Sequence, residues 1–133
     1  MKRGYLTAAL LILTAGVAGA EPGKPVALLD GVPYQDEGMG SRKIVDEKPV
    51  LMMQAALKPG QKVPEHKANS NVHILVLQGA VVVNLAGTDV AVKANDLLPV
   101  ALGTLMHIRN DSQANATFLI IKTPNPSQLG KAG

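Results

Sequence analysis

The chain has 133 residues, 47% of them hydrophobic, 17% charged and 2% aromatic, with no cysteine and a formal net charge of +3 at pH 7. That length is one domain's worth of chain. The missing cysteines exclude disulfides, thiolate metal sites and cysteine nucleophiles, and no Lys/Arg cluster or aromatic stacking set suits nucleic acid.

Residues 1–20, MKRGYLTAALLILTAGVAGA, start with Lys2 and Arg3, run apolar from Leu6 to Val17 and end on Ala18-Gly19-Ala20. This is the layout of a secretory signal peptide cut after Ala20. The apolar run is shorter than the roughly 20 residues a membrane span needs. The expectation is a periplasmic or secreted protein with no stable membrane insertion after cleavage; the alternative is an uncleaved anchor.

Residues 21–49 are rich in proline and glycine and read as an N-terminal arm with short strands at Val26–Leu29 and Arg42–Val45. Pro49 precedes Val50–Leu57 (VLMMQAAL), in which Leu51, Met53, Ala55 and Leu57 alternate with Val50, Met52, Gln54 and Ala56. Both alternating sets are largely apolar, so both faces of this strand need cover: a second sheet on one side, the arm or another subunit on the other. A homodimer is the natural consequence. Lys58-Pro59-Gly60-Gln61 turns the chain, and Pro64 keeps Lys62–Lys67 extended. Strands are expected at Val72–Gln78, Ala80–Leu85, Thr88–Lys93, Leu97–Val100, Thr104–Arg109 and Thr117–Thr123, with a hairpin turn at Asn84–Thr88 and a bend at Gly79. Residues 124–133 read as a flexible tail. Short strands with frequent turns and no mature helix define an all-β sandwich or barrel, spanning residues 50–123.

Two segments resemble the paired motifs of the small single-domain cupins of the conserved-barrel kind, and the resemblance covers about Val50 to Lys122. Gly60, His66 and Gly79 match the frame of the first motif, in which Ala68 takes the place of a second histidine and Val72 that of a glutamate. Asn95-Asp96, Gly103 and Asn110 match the second, in which Met106 falls on the histidine position and His107 lies one place late. The resemblance implies a double-stranded β-helix, or jelly-roll barrel, divergent at its metal-ligand positions. Asp96 and Asn110 are expected to cap turns.

The three histidines of the chain, His66, His73 and His107, all fall within these motifs. Converging, they would form a site for one divalent transition metal (Zn, Ni, Mn or Fe) with a position open to water or substrate. The period of two along a strand opposes this. His66 reads as a first ligand or as a surface histidine. His73 should face away from Val72, Ile74 and Val76, as an outer-face or dimer-seam residue, and His107 should oppose Met106 unless a bulge re-aims it.

Two functions follow. The first is a barrel whose cavity, lined by Ala68, Val72, Ile74, Val76 and Met106, accepts a small, mostly apolar molecule. The second is a metal-dependent enzyme of dioxygenase or isomerase type using His66, His107 and His73. A structural or protein-interaction module is a third reading, in which the arm and the strand Val50–Leu57 form the working surface.

Overall fold

The structure, a computed structural model, describes residues 19–130. The expected signal segment lies outside these residues except for Gly19 and Ala20. Nine strands follow in order: β1 Gly40–Glu47, β2 Val50–Leu57, β3 Lys62–Lys67, β4 Asn71–Gln78, β5 Ala80–Leu85, β6 Thr88–Lys93, β7 Leu97–Val100, β8 Leu105–Arg109 and β9 Ala116–Thr123. Among the described residues no helix is long and apolar enough to cross a membrane.

The strands form a five-stranded sheet in the order β1-β2-β9-β4-β7 and a four-stranded sheet in the order β3-β8-β5-β6. Every pairing is antiparallel. The inward residues of both sheets, among them Ile74, Val76 and Phe118 from one and Val83, Met106 and Ile108 from the other, form a single buried core. With one phenylalanine available, aliphatic side chains fill most of the space between the layers, as the composition requires. This is the all-β barrel expected from the strand pattern, in the jelly-roll form that the cupin resemblance implies.

The chain passes from the larger sheet to the smaller at Gly79, with no loop between β4 and β5. Gly79 has φ +82, and a side-chain carbon there would collide with the Asn115 carbonyl oxygen. Only glycine meets both conditions without displacing β9. Asp96 and Asn110 cap as expected. The Lys93 amide donates to Asp96 Oδ2 at 3.1 Å, and the Ser112 amide donates to Asn110 Oδ1 at 2.9 Å.

Three local expectations need correction. Val26–Leu29 forms no strand, because the Asp30 amide donates to the Ala27 carbonyl at 3.1 Å and closes a turn there. Arg42–Val45 is the middle of the eight-residue strand β1, which pairs with β2 along its length and so belongs to the larger sheet. Where a frayed tail is expected, Asn125 is buried, with its side-chain amide donating to Asp46 Oδ1 at 2.7 Å and to the Glu47 carbonyl at 3.1 Å. These bonds fasten the chain after β9 to the end of β1.

The arm supplies cover for the outer face of β2. Gln54 is fully buried there, donating to the Leu28 carbonyl at 2.7 Å and to Thr117 Oγ1 at 2.9 Å while accepting from Arg42 Nε at 2.9 Å. Arg42 also donates to the carbonyls of Leu28, Asp30 and Gly31, each at 3.2 Å. The one polar residue of β2 is thus the anchor for the arm.

Candidate functional site

A cavity of about 150 Å³ opens between the two sheets at one end of the barrel. Its wall is built by strand parity. On β4, Val72 and Ile74 face inward; on β8, Met106 and Ile108 do so; on β9, Ile120 and Lys122 continue the inward series begun by Phe118. Met53 on β2, Met39 from the arm and Ala68 after β3 complete the apolar surface.

His66 joins this wall because of a bulge. Val63 pairs with Ile108 and His66 with Met106, so β3 spends one residue more than β8 over the same interval. Without it, Glu65 would share the inward face with Val63; with it, His66 does. Pro64, which has no amide hydrogen to give a ladder, sits inside the irregular stretch. The Pro64 carbonyl accepts from His66 Nδ1 at 2.9 Å, so the Nδ1 nitrogen carries a hydrogen.

His73 and His107 take the other faces. His73 pairs with Pro99 and Ile121 on the outside of the larger sheet, between the inward residues Val72 and Ile74. His107 lies opposite Asn84 on the outside of the smaller sheet, in a groove it shares with Lys62, Glu65 and Arg109. There Arg109 donates twice to the Asp89 carboxylate, at 2.9 and 3.1 Å, and once to Asp111 at 2.7 Å, and approaches His107 Nε2 at 3.4 Å. The guanidinium, helped by the amide of Asn84, holds the Asp89 carboxyl well below the usual carboxylate range, and Arg109 is raised in return. This polar cluster lies across the sheet from the cavity.

The three histidines therefore do not meet. A bulge does re-aim a histidine, but it lies on β3 and moves His66, whereas β5 and β8 stay in register through His107. The cavity wall offers one imidazole, and the neighbouring motif positions Ala68, Val72 and Met106 supply no nitrogen or oxygen side-chain atom. Among the described residues there is no group of three or more His, Cys, Asp or Glu side chains that could hold a metal ion. The residues present do not fit the three-histidine centre considered from the sequence.

Of the expected cavity residues, Ala68, Val72, Ile74 and Met106 line the wall. Val76 is fully buried on the same face of β4 but belongs to the closed core and not to the wall. Sequence reasoning missed Lys122, and Asn69 at the mouth. The signal for Lys122 was present: Ala116, Phe118, Ile120 and Lys122 are alternate residues, so a lysine ends an otherwise apolar inward series. Burial against that wall pushes the Lys122 ammonium below the usual lysine range.

Two facing sheets in this order, closed around one core with a cavity at one end, define the class: the chain has the double-stranded β-helix fold found in small cupin proteins. Among known proteins it is similar to an uncharacterized protein of Methanocaldococcus jannaschii, 26% identical over 88 residues, covering 65% of this chain and 76% of that protein. The crystal structure of that archaeal protein, an RmlC-like cupin family protein with a double-stranded β-helix fold, superposes with a TM-score of 0.70. The superposition covers 83% of this chain and 98% of the other at 22% identity. A cupin superfamily protein from Desulfitobacterium hafniense superposes with a TM-score of 0.68 at 17% identity, covering 79% of this chain and 94% of that one. An uncharacterized double-stranded β-helix protein from Klebsiella pneumoniae gives 0.71 at 14%, covering 78% and 87%. No family model matches the chain.

Proposed function

We propose that this chain is an exported binding protein whose barrel takes up a small, mostly apolar molecule between its two sheets. The observation that supports this most is the cavity: about 150 Å³, walled by Val72, Ile74, Met106 and Ile108, and open at one end. A void of similar size in an engineered protein core stays dry and admits benzene, so ligands of about six to eight non-hydrogen atoms are of the right scale. Closing this volume with protein side chains would have been the simpler route to stability.

Export is supported by the positive start, apolar run and small-residue end of residues 1–20. Homodimerisation is supported by the outer face of the larger sheet, where Leu75, Leu77 and Ile121 are half-buried and Leu97 is 53% exposed. Sedimentation of the processed chain at two concentrations tests this second point.

The experiment for the binding function is calorimetric titration of the chain from Glu21 with 3-methylbutan-1-ol, in chelator, alongside Ala68→Leu. Saturable one-site binding that the variant loses is expected. No binding up to the solubility of the alcohol would overturn the reading.

A further inference from the structure

We propose that the molecule held between the sheets is a small carboxylic acid, its apolar body against Val72, Ile74 and Met106 and its carboxylate received by the ammonium of Lys122 and the amide of Asn69. This rests on the cavity being a ligand site, and it names the class of ligand.

Lys122 carries the argument. It ends the inward series of β9, pairing with Leu51 on one side and Val72 on the other. A lysine at such a place ordinarily extends its stem over apolar surface and leaves its ammonium with water or a carboxylate. Lys122 is half-buried on the cavity wall, and no ion pair among the described residues includes it. The contrast lies with the other half-buried cations. Lys58 pairs with Asp36 at 3.1 Å, Arg109 with Asp89 and Asp111, and Arg42 is met by the Gln54 side chain and backbone carbonyls. A cation partly withdrawn from water without an anion carries a cost, and burial displaces its titration downward. An anion delivered with the ligand removes that cost.

The remaining polar atoms of the mouth agree with an anionic guest. The wall includes no carboxylate to repel one. Asn69 is exposed at the rim and brings two further N–H donors. His66 stands on the opposite sheet from Lys122, its Nδ1 held by the Pro64 carbonyl. The volume limits the body to about five or six carbons.

The test compares 4-methylpentanoate with its neutral isostere 4-methylpentanamide by calorimetry at pH 7, on the chain from Glu21 and on Lys122→Met and Lys122→Arg. The acid should bind the unaltered protein at least roughly tenfold more tightly than the amide, as a charge-assisted hydrogen bond implies. Lys122→Met should lose that preference, bringing the acid-to-amide affinity ratio to about one or below, and Lys122→Arg should retain the preference. Equal binding of acid and amide, or a preference that survives in Lys122→Met, would overturn the carboxylate assignment and leave the cavity reading intact. Binding of neither would remove the cavity reading itself. Should Lys122→Met fail to fold, the acid-to-amide ratio in the unaltered protein and in Lys122→Arg decides the matter alone.

Discussion

Ala68→Leu separates a ligand chamber from a poorly filled core. Ala68 is 3% exposed, borders the cavity, and has its backbone fixed by bonds to Thr104 and Gly103 at 2.9 and 2.8 Å. Leucine there adds three carbons to a space of about 150 Å³ that the protein leaves unfilled. At about 0.8 kcal/mol per buried methylene the gain is at most about 2.4 kcal/mol. Fixing the leucine rotamer costs about 1 kcal/mol, leaving a net stabilisation of about 1.4 kcal/mol. For a domain of this size that corresponds to a rise in Tm of about 6 °C. The same side chain occupies the place of the ligand, so binding of 3-methylbutan-1-ol should weaken beyond detection. The assay is thermal unfolding by circular dichroism with and without the alcohol, which raises the Tm only of a protein that binds it. A variant that is less stable and still gains Tm from the alcohol would refute the reasoning, since the cavity would then be neither empty nor the binding site.

Asn110→Ala should lower stability by about 3 kcal/mol, because the fully buried amide donates to the carbonyls of Leu57 and Ala114 and accepts twice from Ser112. Urea unfolding checks it, and a loss below about 1 kcal/mol would contradict the accounting. Gly40→Ala places a carbon against the Pro33 carbonyl, so the arm must lift from β1; a cost of about 1–3 kcal/mol and faster amide exchange across 28–35 are expected. Asp89 titrates below its unfolded value, so the stability it contributes is complete above about pH 4 and declines as the pH falls toward its depressed folded pKa. Unfolding of Asp89→Asn across pH should show a deficit at neutral pH that narrows below about pH 4, and a deficit independent of pH would exclude the Arg109 pairing as its cause.

The strand order of the sequence was readable because each strand is bounded by its own turn residues. Val50–Leu57 lies between Pro49 and Pro59-Gly60, and Thr88–Lys93 between Gly87 and Asn95. Parity along β4 and β8 correctly separates His73 and His107 from Val72 and Met106, since both histidines lie where the register is regular. The face of His66 was not readable. It depends on one inserted residue in β3, and bulges follow from how β3 meets β8, a long-range pairing that no local pattern encodes. The arm was misread for a related reason. Val26–Leu29 is apolar enough for a strand, but its backbone closes a turn, and the Leu28 carbonyl bonds to Gln54, a residue 26 positions away. Lys122 stands at a strand end, where a lysine ordinarily faces water, but the alternation from Ala116 through Phe118 and Ile120 carries it inside.

Nuclear Overhauser contacts between bound 3-methylbutan-1-ol and the methyl groups of the protein, measured in chelator, locate the ligand relative to the two sheets. Contacts are expected from the alcohol methyls to Val72, Ile74 and Met106, with none to Leu75, Leu77 or Ile121 on the outer face of the larger sheet. Contacts confined to that outer face, or to the groove beside His107, would contradict the cavity reading and move the binding surface outside the barrel.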